Sequence, residues 1–386
     1  MTSFDPARYL PDDLLARLRE RAAVHDRDNT FPHDDLADLR AAGYLGILVP
    51  TEHGGAGLSL ADASVLQQRL AGAAPATALA VNMHLVWTGV AKVLSDRGLD
   101  DLAFVQRGAA DGEVFAFGIS EAGNDLVLFG SDTEARPDGQ GGYTFTGTKI
   151  FTSLSPVWDH VGVHGLDETS PDAPQLVFAF LARSDDVVSR DDWDTLGMRG
   201  TQSRTTELRG AHAPADRVVR RIDPGAQPDP LVFGIFAVFE ILLASVYTGI
   251  ARRAIDLAVE AATSRRSKKT GTTYANDPDI RWRIADMALA YDALPPQLAS
   301  LAADVDALVD HGTRWFTLLS GVKYRAVAMA KEVVDDAMLV GGGSAYFSRN
   351  ELSRLYRDVL AGMFHPSDSE SAHSTAASAW LGPVTR

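Results

Sequence analysis

Apolar residues recur at helical spacing through the first part of the chain. Leu14, Leu15 and Leu18 stand three and four positions apart, which is typical of an amphipathic helix. The segment 49–57, with one proline and three glycines, interrupts this pattern and predicts a turn between helices. We therefore expect an all-α domain over residues 1–112.

The pattern changes after this first domain. Segments such as 143–147 and 175–180 are alternating or β-branched and are separated by Gly, Pro and Asp clusters, which predicts a β domain, a small barrel or sandwich, over residues 113–225. A proline-rich linker at 223–230 follows. Helical periodicity then returns and predicts an all-α domain over residues 226–386.

The longest apolar run, residues 231–250, contains Glu240 and Gly234. A buried helix explains such a run better than a membrane span does. The first ten residues carry charges and no apolar core, so they do not resemble a secretory signal. We expect a cytoplasmic protein without a membrane partner.

The amino-acid composition argues against several classes of function. The 386 residues include 36 Lys and Arg against 51 Asp and Glu, for a net charge of −15, which disfavours a nucleic-acid partner. The chain has no cysteine, which excludes disulfides, thiolate metal sites and thiol nucleophiles. We expect no metal centre, and redox chemistry would need a bound cofactor.

Five segments carry distinctive residues, in the order 44–57, 117–125, 149–153, 196–201 and 341–358. In sequence and separation they resemble motifs of the acyl-CoA dehydrogenase family, and the resemblance covers nearly the whole chain. It implies an N-terminal helical bundle, a middle β barrel and a C-terminal four-helix bundle. It also implies FAD at a subunit interface of a homodimer or homotetramer.

The same resemblance implies a reaction. Family members desaturate an acyl thioester, carried by CoA or by an acyl-carrier protein, and pass electrons to an electron-transfer flavoprotein. This would place the chain in fatty acid or acyl thioester metabolism.

The resemblance also implies which residues contact FAD. Hydroxyls, backbone donors and an aromatic ring suit the flavin, and glycines let a backbone approach a dinucleotide closely. The alternatives are a strand-core role for Phe151, a plain loop for the glycines and a solvated basic face for Arg266, whose Arg-Phe-Gly motif lacks the Phe. The implied FAD contacts are Phe117, Ile119, Ser120, Phe151, Ser153, Arg266, Gly342 and Gly343.

Asn124 stands where the family contacts the thioester tail, in a motif that is two residues shorter here. The alternative role for Asn124 is an Asx-turn.

The usual catalytic Glu of the family is absent, because the ninth residue after Arg357 is Pro366. Desaturation requires a base to remove the α-proton, and some family members place it on an earlier helix. Glu240 lies one position past that alternative site. A lone carboxylate in an apolar run suggests a function; a salt bridge with Arg252, Arg253 or another helix is the alternative.

His365 is a weaker catalytic candidate. Related flavin monooxygenases use a histidine near this region in oxygen activation, whereas Pro366 after it could simply end a helix. Three hypotheses follow: an FAD-dependent acyl-thioester dehydrogenase, a flavin monooxygenase or oxidase on the same fold, and a catalytically silent flavin- or acyl-binding subunit.

Overall fold

The computed structural model describes residues 4–382 and 384. Five helices form the N-terminal part. Helix α3 begins after Ser59, whose side chain and that of Asp62 form a reciprocal capping box. The turn before it needs a glycine at Gly55, because a Cβ there would lie 2.1 Å from the carbonyl oxygen of Val49. The helices are α1 (Asp12–Asp28), α2 (His33–Ala41), α3 (Leu60–Ala71), α4 (Pro75–Ser95) and α5 (Ala103–Ala110).

Eight strands follow and form a single hydrogen-bonded sheet. Its order is β6-β7-β3-β2-β4-β5-β8, and β1 pairs in parallel with β4 outside this path. The strands are β1 (Phe115–Gly118), β2 (Glu134–Pro137), β3 (Tyr143–Thr152), β4 (His160–Asp167), β5 (Gln175–Ala182), β6 (Val187–Ser189), β7 (Arg204–Ala213) and β8 (Val218–Ile222).

The sheet packs closely on the N-terminal helices. Trp87 of α4 donates its indole N–H to the carbonyl oxygen of Ala116 in β1, 2.9 Å away. Its ring lies against Gly162 of β4, where a Cβ would come within 2.3 Å of the indole. Glycine is therefore required at this contact, and α4 and β1 are held in a fixed relation.

The C-terminal part is helical. Asp229 caps α6 by accepting hydrogen bonds from the backbone of Leu231 and Val232, and Pro230 occupies the first turn. The helices are α6 (Pro230–Ser264), α7 (Pro278–Asp292), α8 (Leu294–Asp306), α9 (Arg314–Gly341), α10 (Glu351–Val359) and α11 (Ser369–Leu381).

The predicted order of helices, sheet and helices is confirmed. The predicted boundaries at 112/113 and 225/226 fall between α5 and β1 and between β8 and α6. Helices α4 and α6 are long and apolar enough to cross a membrane, but their most apolar windows are 94% and 83% buried inside the protein. The apolar run at 231–250 is thus a core helix.

Candidate active site

The end of β3 and the segment after β1 lie side by side. The backbone N–H of Ile150 donates to the carbonyl oxygen of Ser120 over 2.8 Å, while Ile119 is buried and Ser120 is half-buried. Phe151 has a φ of +58°, and its side chain is 54% exposed. The alternative interpretation of Phe151 as strand core is therefore wrong: the ring lies at the surface, edge to face with Trp193 at 6.2 Å between centroids.

A chain of buried hydroxyls begins at the next predicted residue. The Ser153 and Ser203 hydroxyl oxygens are 2.7 Å apart. Ser203 donates to Thr201 over 2.8 Å, and Thr201 donates to the carbonyl oxygen of Met198 over 2.9 Å. The motifs pointed to Ser153 but not to Ser203, which lies two residues beyond the recognised segment 196–201.

Aromatic rings meet where the three parts of the chain join. Phe117 of β1 is buried, with its ring centroid 5.3 Å from that of Trp87 on α4. The ring of Phe239 on α6 stacks on Phe117 at 5.5 Å. The α6 side chain that stacks on this predicted site residue is thus a phenyl ring and not a carboxylate.

Glu240, the next residue, is fully buried. One carboxylate oxygen accepts a hydrogen bond from Ser367 at 2.5 Å, and the other has no hydrogen-bond partner in the described part of the chain. Burial raises the pKa of Glu240, although the nearby Lys323 ammonium opposes this. Arg252 and Arg253 pair instead with Asp256 and Glu351. The role of Glu240 as a base stays a prediction.

Lys323 of α9 is also fully buried and holds the segment between α10 and α11. Its ammonium donates to the carbonyl oxygens of Gly362, His365 and Ser367 at 2.9 to 3.1 Å. Burial lowers the pKa of Lys323, and the Glu240 carboxylate opposes that change. No sequence pattern marks this lysine, because its partners are backbone atoms far along the chain.

His365 lies in that held segment. Its Nδ1 is 3.3 Å from the hydroxyl of Tyr247 on α6. Burial, and secondarily the Lys323 charge, lower the pKa of His365 to about 3, so the ring is neutral near pH 7. A neutral imidazole that accepts from Tyr247 at Nδ1 keeps its proton on Nε2.

Asn124 makes local contacts. Its side-chain N–H₂ donates to Glu121 and to the carbonyl oxygen of Gly130, and its Oδ1 accepts from the backbone of Leu126. This is the Asx-turn of the alternative interpretation. A contact between Asn124 and a substrate stays a prediction.

Glu121 anchors the shortened loop from inside. Its carboxylate accepts from Thr133, Ser131 and the ammonium of Lys149, which is 2.6 Å away and completely buried. Burial by itself would raise the pKa of Glu121, but the Lys149 charge and these hydrogen bonds hold it well below its usual range. Lys149 also contacts His164. Sequence analysis assigned neither Glu121 nor Lys149 a role.

The predicted glycine contacts lie at the end of α9, and the predicted arginine contact follows the end of α6. Gly342 has a φ of +63°, and a Cβ on Gly343 would meet no atom within 4 Å. Arg265 donates to the carbonyl oxygen of Gly341 at 2.7 Å, whereas Arg266 is exposed and donates to Gly271. Arg265 is therefore the arginine beside the glycines, and cofactor contact by Arg266 stays a prediction.

These features fit a flavin. An exposed aromatic ring at Phe151, a buried hydroxyl at Ser153 and backbone groups at Ile119 and Ser120 supply the apolar face and hydrogen-bonding edge that an isoalloxazine needs.

Two models of one family match the chain: the acyl-CoA dehydrogenase N-terminal domain over residues 14–97 and the acyl-CoA dehydrogenase C-terminal domain over residues 241–369. L-evernosamine nitrososynthase of Micromonospora sp. (strain ATCC 39149 / NRRL 15099 / SCC 1413) is 30% identical, with 93% of this chain and 86% of the relative covered. The putative acyl-CoA dehydrogenase YdbM of Bacillus subtilis (strain 168) is 28% identical, with 95% and 94% covered.

A solved structure is similar over the whole fold. KijD3, in complex with FMN and dTDP-3-amino-2,3,6-trideoxy-4-keto-3-methyl-D-glucose, has a TM-score of 0.85 and 29% identity, with 97% of this chain and 92% of KijD3 covered. The chain belongs to the acyl-CoA dehydrogenase family of flavoproteins.

Proposed function

We propose that the chain is a flavin-dependent monooxygenase that oxidises a heteroatom, foremost the amine nitrogen of an amino sugar. The observation that carries this proposal is the pair Phe239 and Glu240. Phe239 lies against the predicted flavin-contacting residue Phe117, whereas Glu240 is held by Ser367 in the C-terminal core. Oxygen transfer to an amine removes no α-proton, so it needs no carboxylate base at this position. An aromatic side chain such as Phe239 is compatible with that reaction.

The similarities support the same choice. A nitrososynthase at 30% identity and an amino-sugar complex of a structural neighbour at 29% identity both point to nitrogen chemistry. The similarity to a putative acyl-CoA dehydrogenase keeps thioester desaturation as the competing prediction.

Bound reduced flavin would supply two electrons to O₂, so that one oxygen atom is added to the substrate nitrogen and the other leaves as water. We propose that the reduced flavin comes from a separate NAD(P)H-dependent flavin reductase.

The residues of this chain bind and orient the reactants. The Phe151 ring would lie against a bound flavin, and Ser153 and Ser120 would meet its polar edge. The packed rings of Phe117, Trp87 and Phe239 would help to exclude water from the site. We propose that His365 holds a proton on Nε2 for exchange with the reacting oxygen, while Tyr247 fixes its Nδ1 side.

FAD, rather than FMN, is the cofactor implied by the sequence resemblance, and we retain it as a proposal. We also propose that the chain assembles into a dimer or tetramer. Large apolar side chains are exposed along the C-terminal helices, namely Trp282, Leu289, Leu339, Tyr346, Phe347 and Trp380, and an oligomer would cover such residues. Light scattering of the purified protein tests this assembly.

The function is tested with one preparation in two reactions. In the first, flavin-loaded protein is mixed anaerobically with short, branched, long and aromatic acyl-CoAs, and the flavin absorbance is followed. In the second, a flavin reductase, NADH and air are added with a panel of dTDP-linked amino sugars, and products are identified by mass spectrometry. We expect oxidised amines in the second reaction and no bleaching in the first. Bleaching by a thioester would overturn the proposal in favour of desaturation.

A further inference from the structure

The hydrogen bonds that link the hydroxyls of Ser153, Ser203 and Thr201 all point the same way, from Ser153 toward Thr201. Each hydroxyl owns one proton. Thr201 gives its proton to the carbonyl oxygen of Met198, which cannot donate. Ser203 therefore gives its own proton to Thr201, and Ser153 must give its proton to Ser203 across their 2.7 Å contact. The Ser153 oxygen is left with lone pairs and no proton to offer.

All three hydroxyl groups belong to buried residues: Thr201 is 0%, Ser153 5% and Ser203 6% exposed. Bulk water therefore has little access to these hydroxyls and cannot easily reverse the direction of their hydrogen bonds. Thr201 lies in a short helical turn that begins from Met198, whose φ is +52°. The backbone N–H of Met198 donates to the buried carboxylate of Asp358. Asp358 of α10 thus helps to hold Met198, whose carbonyl oxygen accepts the Thr201 proton.

We propose that Ser203 and Thr201 are positioning residues that make Ser153 a hydrogen-bond acceptor toward flavin N5, so that the site prefers reduced over oxidised flavin. This inference rests on the proposed flavin site, in which the family resemblance implies that the Ser153 hydroxyl lies next to flavin N5. Reduced flavin carries a hydrogen on N5 and can donate it to Ser153, whereas oxidised flavin presents a lone pair there. An acceptor facing a lone pair loses a hydrogen bond and adds repulsion.

The preference has a direct consequence for the proposed function. A monooxygenase that receives reduced flavin from a separate reductase must take it from a mixture with oxidised flavin. A site with an acceptor at N5 retains the reduced form and releases the oxidised form after turnover. The hydroxyl chain would provide this selection without any charged group.

The test compares the dissociation constants of the oxidised and the anaerobically reduced flavin, with FAD and with FMN, without substrate or turnover. The wild-type protein is expected to bind the reduced flavin more tightly. Ser203→Ala removes the acceptor for the Ser153 proton, which then becomes available to oxidised N5. We expect the ratio of the two constants to change by about tenfold, the effect of roughly one hydrogen bond. This corresponds to about 30 mV in the bound flavin's two-electron potential.

Three variants separate this role from a loss of local structure. Ser155→Ala is the matched control, because Ser155 is a buried serine that donates only to the carbonyl oxygen of Thr152, and it should leave the ratio unchanged. Ser203→Thr retains the hydroxyl and should restore the ratio. In a Ser153→Ala background, Ser203→Ala should have no further effect.

The inference would be overturned if Ser203→Ala left the ratio of dissociation constants unchanged, or if it changed the ratio equally in the wild-type and Ser153→Ala backgrounds. Neither result would contradict the proposed oxygen transfer. Failure of the wild-type protein to bind either form of FMN or FAD would overturn both the inference and the proposed function.

Discussion

The buried carboxylate of Glu240 accepts a hydrogen bond from the hydroxyl of Ser367, which joins α6 to the segment that precedes α11. Ser367 has a φ of +55°, and its carbonyl oxygen accepts from Lys323. Glu240 thus helps to shape the segment that carries His365. The same segment contains Pro366, the position at which the family resemblance implies a catalytic Glu.

This relationship predicts different results for two substitutions of Glu240. Glu240→Gln retains an oxygen that accepts from Ser367, so we expect nearly normal stability and amine oxidation. Glu240→Leu leaves the Ser367 hydroxyl without an acceptor and should lower the free energy of unfolding by about 1 to 3 kcal/mol. Urea denaturation and product formation measure the two effects. Loss of all turnover in a stably folded Glu240→Gln variant would instead support Glu240 as the base.

The Lys149 and Glu121 pair is expected to be a major determinant of stability. Lys149 is fully buried and contacts the Glu121 carboxylate at 2.6 Å, so Lys149→Met leaves a buried charge without its partner. We expect a loss of about 3 to 5 kcal/mol in the free energy of unfolding. Lys331→Met is the control, since Lys331 pairs with Asp335 on the surface of α9, and should cost less than about 1 kcal/mol. Equal losses for both variants would contradict this account.

The buried side chain of His84 is expected to make the stability of the protein depend on pH. Its Nδ1 accepts the backbone N–H of Phe115, and its Nε2 lies 3.0 Å from the carbonyl oxygen of Leu45. Burial lowers its pKa from 6.5 to about 4. Between these values the unfolded chain binds the proton more readily, so stability is complete above pH 6.5 and declines as the pH falls toward 4.

The contribution of His84 to this decline should reach about 3 kcal/mol. Urea denaturation across this pH range measures it. His84→Gln should be less stable at neutral pH but show a slope that is smaller by up to one proton. A slope identical to that of the wild-type protein would show that His84 does not titrate in this way.

A substitution at Gly343 tests whether the cofactor is FAD or FMN. A Cβ at this position meets no protein atom within 4 Å, so Gly343→Ala should fold with normal stability. If the backbone approaches the adenosine half of FAD, the variant should bind FAD more weakly and FMN as well as the wild-type protein does. Titration of both flavins measures this. Equal effects on the two flavins, or none on either, would argue against a dinucleotide contact at Gly343.

The sequence predicted the order of the three parts because hydrophobic periodicity and turn residues report local structure. It also identified Ser153 and Phe151 as candidate flavin contacts, since both lie in a contiguous motif, and that role stays a prediction. It could not show which way Glu240 faces, because one position along an α-helix rotates a side chain by about 100°. That rotation separates Phe239 at the aromatic cluster from Glu240 in the C-terminal core.

The supporting residues were missed for a related reason. Ser203 contacts Ser153 across two strands, and Lys323 holds backbone carbonyls about forty residues further along the chain. Contacts of this kind leave no periodic pattern in the sequence, because the partner of each residue is set by the three-dimensional packing.

The most direct test of the account is the source of the oxygen in the product. The protein is supplied with reduced flavin, ¹⁸O₂ and an amino sugar that it oxidises, and the product is analysed by mass spectrometry. Monooxygenation predicts that the oxygen atom on the product nitrogen carries the label from ¹⁸O₂. A product whose oxygen comes from unlabelled water, or a desaturated thioester formed without O₂, would contradict the account.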